Sequence, residues 1–132
     1  MRRMLMLAVL LQLCFAAPAA AQSGLCGSVT GRLVAYAFED IALTSAASVG
    51  FTTATVLGPT GNHAAAFALV SITGNDAYVT FDGTPPTTAT GHLIVKNSYP
   101  PLAVCGGSLG RFLMISSAAA GAHAGVTYFK LP

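Results

Sequence analysis

Residues 63–83 read HAAAFALVSITGNDAYVTFDG, and this stretch decides the fold class. Residues 63–72 are apolar almost throughout, which on alanine content alone would also suit a buried helix. Turn-forming sequences flank the run, with Gly61-Asn62 before it and Gly74-Asn75-Asp76 after it. Because a short apolar run between two turns fits a strand that is buried on both faces, we predict a strand here.

The residues after the second turn predict another strand. Residues 77–81 alternate, with Ala77, Val79 and Phe81 facing one way. Gly and Asn adopt a positive φ at low cost, so Gly74-Asn75-Asp76 predicts a tight hairpin turn between the two strands.

Short strands separated by glycine- and proline-containing turns continue on both sides. Residues 32–38 alternate, and Val34, Tyr36 and Phe38 are expected on one side. The segment 84–88 contains two prolines and cannot be a central strand, and residues 116–125 predict a flexible connection or a hairpin tip. About seven or eight such strands predict an all-β, single-domain antiparallel β-sandwich or jelly roll. The remaining predicted strands are 93–96, 103–105, 111–116 and 126–131.

The N-terminus has the layout of a secretory signal peptide. Arg2 and Arg3 precede an uncharged stretch, residues 5–17, and small residues at 18–21 come before Gln22. The apolar run of about 13 residues is shorter than the roughly 20 that span a bilayer. We therefore predict a signal peptide at 1–21 that is cleaved after Ala21, a mature domain at 22–132, a secreted or periplasmic location, and no stable membrane span.

Cysteine usage agrees with export. The chain has three cysteines, and cleavage would leave Cys26 and Cys105. An even pair in an exported chain predicts one disulfide, with two buried thiols as the alternative. Closing a loop of about 80 residues would contribute roughly 4–5 kcal/mol in the chain-entropy treatment. The chain contains no Cys-x-x-Cys pair, so no zinc site is predicted from the cysteines.

The charge content restricts the partners. Charged residues are 8% of the chain, against about 25% in typical domains. Without Arg2 and Arg3, four basic residues balance four acidic ones. No basic patch remains for a phosphate backbone, so nucleic-acid binding is disfavoured. A surface rich in Thr, Ser, Ala and Gly instead suits contact with other copies or other structural proteins.

The carboxylates and Ser108 offer no convincing catalytic group. Glu39-Asp40 are adjacent and point apart in a strand, and Asp76 and Asp82 occupy predicted turns where Asp binds the backbone. Ser108 lies in a literal Gly-x-Ser-x-Gly match, but a strand rather than a helix is predicted after it. We therefore interpret this glycine-rich segment as a turn and predict no catalytic residues and no enzyme activity.

Two other groups of residues are candidates for binding. His63, His92 and His123 are far apart in sequence and would form a metal site only if the fold brought them together, so no metal and no cofactor are predicted. Tyr36 and Tyr99 are the candidates for stacking a sugar or a partner peptide, with a partly buried tyrosine as the alternative.

The central block carries a family resemblance. Residues 80–87 read TFDGTPPT and residues 88–94 read TATGHLI. This block resembles a segment of small phage virion-associated proteins, in which Asp-Gly-Thr-x-Pro-Thr leads through a short polar loop to Gly-x-Leu-Leu. The resemblance covers roughly residues 56–130. It implies a non-catalytic β-sandwich, and it assigns a turn motif made by Asp82, Gly83, Thr84, Pro85 and Gly91.

These features predict an exported structural or adhesive β-sandwich of the virion type that associates with itself. A similar turn occurs in fibronectin-III-like modules of secreted carbohydrate-active enzymes. The alternative is therefore a secreted carbohydrate-binding accessory module whose partner is a glycan.

Overall fold

The structure is a computed structural model that describes residues 32–58 and 65–132. It confirms an all-β domain, with one five-residue α-helix among the described residues. The strands are β1 (Val34–Leu43), β2 (Val49–Gly50), β3 (Phe67–Thr73), β4 (Ala77–Thr80), β5 (His92–Ile94), β6 (Leu102–Cys105), β7 (Leu113–Ser116) and β8 (Ala122–Lys130), the helix is α1 (Thr53–Leu57), and a 3-10 turn spans Gly106–Ser108.

The described strands form two four-stranded antiparallel sheets. The first sheet has the strand order β1-β8-β3-β6, and the second sheet has the order β2-β7-β4-β5. Within these sheets β1 pairs with β8, β2 with β7, β3 with β6 and β4 with β5. Only β4 and β5 are consecutive in the chain, so most connections cross between the sheets.

One hydrophobic core is shared by both sheets. Val70 and Val126 from the first sheet and Val79 and Met114 from the second belong to the same buried cluster. Alternate residues of β3, β4 and β8 are buried, as the period of two along a strand requires. Two sheets around one core are consistent with the β-sandwich that the sequence predicts.

The predicted hairpin between β3 and β4 is wrong. β3 pairs with β6 and β8 in the first sheet, whereas β4 pairs with β5 and β7 in the second. The turn at Gly74-Asn75-Asp76 carries the chain from one sheet to the other, and Gly74 has the expected positive φ of 82°. Both strands face the same core from opposite sides, which excludes pairing with each other.

The predicted alternation of β1 is also wrong beyond Tyr36. A β-bulge between Ala35 and Ala37 leaves Tyr36 without a partner in the register with β8. A bulge adds one residue and so inverts the faces that follow it. Tyr36 packs against the core, while Phe38 is 68% exposed on the outer face.

The predicted flexible segment 116–125 is shorter in the structure. β8 already begins at Ala122, and Ser116 ends β7. The remaining residues, 117–121, connect the second sheet to the first, so they are not the tip of a hairpin.

Candidate functional site

The turn motif begins a loop, residues 82–91, that we call the cover loop. Asp82 Oδ1 accepts a hydrogen bond of 2.9 Å from the Thr84 backbone N–H, and the Thr80 hydroxyl donates to the Thr84 carbonyl at 2.5 Å. The hydrogen bond from the Thr84 N–H is the main reason that the pKa of Asp82 is lowered, and the charge of Arg111 contributes. The carboxylate therefore has a structural partner within its own turn.

The cover loop folds back over the outside of the second sheet. Pro86 is buried although it belongs to a loop. Gly91 has a φ of 119°, and a Cβ there would lie 2.9 Å from the Val79 carbonyl oxygen, 3.3 Å from Pro86 Cβ and 3.4 Å from Tyr78 Cβ. This close approach requires glycine. The motif thus places Pro86 against the outward-facing side of β4.

The tip of the cover loop is a small hairpin that displays threonines. Thr87 and Thr90 form an isolated antiparallel bridge, and their hydroxyl oxygens are 2.8 Å apart. The Thr90 N–H also donates to the Thr87 hydroxyl at 3.0 Å. Thr88 and Ala89 lie between them and are exposed. The tip is therefore held in one conformation by its own hydrogen bonds.

A groove separates the cover loop from the connection between β1 and β2. Its volume is about 460 Å³, its walls include Ser45, Ser48, Pro86 and Thr88, and Ile115 also lines it. Ile115 is buried although it lies opposite Tyr78, on the outward-facing side of the sheet. The groove offers hydroxyl groups and proline rings, which suit a small polar ligand such as a sugar.

The second candidate tyrosine, Tyr99, projects from the connection between β5 and β6. Its side chain is 93% exposed and precedes Pro100-Pro101. Leu93 and Val95, just before it in the chain, are 50% and 54% exposed. We call residues 95–101 the Tyr99 loop.

Tyr36 differs from Tyr99 because it is half-buried. Its hydroxyl donates to the Thr55 carbonyl at 2.7 Å, and burial raises its pKa. Lys130 Nζ lies 5.6 Å from the ring centroid, a cation–π contact. The hydroxyl and one face of the ring are thus already occupied within the chain.

The sequence patterns did not indicate a phenol–carboxylate pair in which the tyrosine is buried and the glutamate is partly exposed. Tyr128 is fully buried, and its hydroxyl donates to Glu39 Oε1, which also accepts from the Thr52 N–H at 3.3 Å. Burial and the Glu39 carboxylate raise the pKa of Tyr128 far above its usual value. The alternation of β1 would have predicted an inward-facing Glu39 only if the bulge at Tyr36 had been known.

An apolar pocket at the β2 edge of the second sheet was also missed. It measures about 510 Å³ and lies between α1 and residues 109–113. Its wall includes the stacked rings of Phe51 and Phe112, whose centroids are 4.9 Å apart. Other side chains that line it are Val56, Leu57, Leu109 and Leu113. Its two walls are more than 50 residues apart in sequence, so no local pattern could have indicated it.

The remaining chemical candidates do not converge in the described ranges. The His123 Nδ1 atom lies 3.3 Å from Asp40 Oδ2 on exposed strand surface, and the ring of His92 packs 5.7 Å from that of Phe81. Within residues 32–58 and 65–132, no three metal-binding side chains form a group. His63 lies outside the described residues.

Ser108 ends the 3-10 turn that follows β6, and β7 is the next regular element. This agrees with the interpretation of the segment as a turn. Cys105 is the last residue of β6 and is not a free thiol. Cys26 and the predicted signal peptide at 1–21 lie outside the described residues, so the disulfide and the cleavage site stay predictions.

No helix in the described part of the chain is long and apolar enough to cross a membrane. A scan against protein-family models finds no match, and neither the curated proteins nor the solved structures include one that matches this chain.

Proposed function

We propose that this protein is an exported, non-catalytic structural or adhesive β-sandwich, of the virion-associated kind, that self-associates. The observation that carries the proposal is the exposure of large apolar side chains on a domain with few charges. In the described residues these side chains are Val34, Phe38, Leu93, Val95, Tyr99 and Leu131. Three of them, Leu93, Val95 and Tyr99, lie within one stretch of seven residues, and a cluster of exposed apolar side chains commonly marks an interaction site.

The strand pairing supports this class of protein. Pairing the first strand with the eighth, the second with the seventh, and so on inward is the connectivity of an antiparallel ribbon rolled into two sheets. A jelly roll has connectivity of this kind, and it occurs in viral capsid and lectin domains. This is an argument by fold analogy, and it supports an assembling or binding role without selecting a ligand.

The edges of the sheets favour contacts through faces and projecting side chains. β1, the longest edge strand, carries a bulge and the inward-facing carboxylate of Glu39. Both features discourage pairing with a second sheet edge. The edge strands β2, β5 and β6 have only two to four residues.

The carboxylates support a non-catalytic role. Glu39 accepts from Tyr128 and Thr52, Asp82 accepts from Thr84, and Asp76 Oδ1 accepts from the Lys96 N–H at 2.9 Å. Each of these groups has a role in holding the fold.

Light scattering during size-exclusion chromatography tests self-association. Over a dilution series in the micromolar range, we expect the mean mass to exceed that of one mature chain. Because few charges are involved, raising the salt concentration should not dissociate the assembly. A clean monomer throughout would contradict the proposal.

Export predicts a defined covalent form. Mass spectrometry of the exported protein should show a chain that starts at Gln22 and is two hydrogens lighter than the reduced chain. Reduction should lower the free energy of unfolding by about 4 kcal/mol, because a loop of about 80 residues is released. Two alkylatable thiols in the native protein would contradict the Cys26–Cys105 bridge.

The groove beside the cover loop favours one alternative, a carbohydrate-binding module. Retention on an insoluble polysaccharide would support it. Thr88→Lys would place a charged side chain in the groove and should abolish retention, whereas Ala89→Lys is the matched control because Ala89 does not line the groove. Equal loss in both variants, or no retention of the parent protein, would reject this alternative.

A further inference from the structure

Four residues form one row across the first sheet. In the register of the antiparallel pairs, Ala35 of β1 lies opposite Phe129 of β8. Phe129 lies opposite Phe67 of β3, and Phe67 lies opposite Cys105 of β6. Since β1 and β6 are the two edges of this sheet, the row crosses it from one edge to the other.

The side chains of this row face away from the core. The neighbouring residues Ala68 of β3, Val104 of β6 and Tyr128 of β8 are fully buried, and successive side chains of a strand alternate between its faces. The two phenylalanine rings of the row are half-buried, and their centroids are 5.5 Å apart. An apolar strip thus runs over the outside of the sheet and ends at Cys105.

The segment that precedes β1 has an attachment point at each edge of this row. β1 begins at Val34, next to Ala35. At the opposite edge, Cys105 is not a free thiol, and the proposed bridge joins it to Cys26. With that bridge formed, residues 26–33 have to connect one edge of the sheet to the other.

The length and composition of the connection suit a path over the outer face. The two edges are three strand spacings apart, about 14 Å, whereas the residues from Cys26 to Val34 reach about 26 Å when extended. The inner face is filled by the core, and the Cys105 side chain belongs to the outer face. Residues 27–33 read GSVTGRL, with Arg32 as the one charge in that sequence.

We infer that residues 26–33 lie across the outer face of the first sheet, over Phe67 and Phe129, as a strap anchored by the Cys26–Cys105 bridge. The inference rests on the disulfide of the proposed exported form and names the surface that this disulfide closes. The strap removes an apolar strip from water, which stabilises the bridged domain. The exposed ring of Phe38, farther along β1, stays available for contact with other molecules.

Photocrosslinking in the bridged protein tests where the strap lies. Benzoylphenylalanine replaces Phe67 in one variant and Thr73 in its matched control, because both lie on the same face of β3 but about 20 Å apart. We expect the crosslinker at position 67 to attach to residues 22–31, and the crosslinker at position 73 not to. Mass spectrometry of a mixture of isotope-labelled and unlabelled chains should show that the crosslink lies within one chain.

Hydroxyl-radical footprinting tests whether the bridge holds the strap down. The double variant Cys26→Ser, Cys105→Ser lacks the bridge but keeps the full length of the chain. We expect the oxidation rates of Phe67 and Phe129 to rise about threefold or more, because a chain terminus that is not tied down is poorly ordered. Phe38 lies outside the strip and should react at the same rate in both proteins.

The outcomes separate this inference from the proposed bridge. If peptide mapping finds no Cys26–Cys105 disulfide in the exported protein, the bridge and the strap are refuted together. If the bridge is present but position 67 crosslinks to residues 22–31 no more than position 73 does, the strap is overturned and the bridge stands. Unchanged oxidation of Phe67 and Phe129 in a folded double variant would overturn it as well. The crosslinking uses the bridged protein, so it decides the question even where the double variant does not fold.

Discussion

The two double-proline segments of this protein differ in how they pack against the domain. In the cover loop, Pro85-Pro86 turns back onto the second sheet and Pro86 is buried. In the Tyr99 loop, Pro100-Pro101 follows a tyrosine that projects into solvent. Both segments interrupt strands, because proline lacks an N–H for the ladder.

The difference comes from the residues that surround each pair of prolines. The cover loop ends at Gly91, whose missing side chain lets the loop approach Val79 and Pro86 closely. It also contains hydroxyl and carboxylate groups that bond its own backbone. A proline pair therefore only excludes a central strand, and the neighbouring contacts decide whether the loop packs or projects.

The substitution with the largest expected effect on stability is Gly91→Ala in the cover loop. The new Cβ would lie 2.9 Å from the Val79 oxygen at a φ of 119°, so both a clash and backbone strain are introduced. We expect a loss of about 2–4 kcal/mol in the free energy of unfolding, measured by urea denaturation. Gly107→Ala, with nothing within 4 Å, is the control and should change it by less than about 0.5 kcal/mol.

Replacing one proline of the cover loop at a time should have a smaller effect. Pro86→Ser removes a buried ring, and we expect it to cost about 1–2 kcal/mol more than Pro85→Ser. Both changes free the unfolded chain in the same way, so that contribution cancels. Equal losses of stability, measured by thermal unfolding, would show that the packing of Pro86 is not what holds the loop.

A substitution in the Tyr99 loop should hardly change the free energy of unfolding. Tyr99→Ser removes an exposed side chain, so the free energy of unfolding of the monomer should change by less than about 0.5 kcal/mol. Dilute protein is required, so that self-association does not contribute. A loss comparable to that of Pro86→Ser would mean that the Tyr99 loop also packs against the domain.

The smallest expected effect concerns the carboxylate that begins the cover loop. Because folding lowers the pKa of Asp82, its contribution to stability is present above the unfolded-state pKa near 3.9 and is lost as the pH falls through the lower folded-state pKa. Asp82→Asn keeps the Oδ1 acceptor and should flatten the dependence of the melting temperature on pH between about 2 and 5. Parallel curves for the two proteins would contradict this role.

The sequence by itself determined the fold class and most of the strands. Alternation along residues 77–81 correctly placed Ala77 and Val79 on one face, which is the buried one in the structure, because the direction of a strand side chain depends on the local backbone. Gly74 was correctly assigned a positive φ for the same reason. The turn at the motif was also predictable, since Asp82 bonds to the backbone only two residues away.

Only the tertiary structure decided which strands pair and where the surfaces for contact lie. β3 joins β6 and β8 rather than β4, because pairing is set by the shared core and not by the intervening turn. The bulge at Tyr36 reverses the face of Phe38 through pairing with a strand about 90 residues away. The apolar pocket combines α1 with residues 109–113. All of these depend on contacts between residues that are distant in the chain, so no local pattern encodes them.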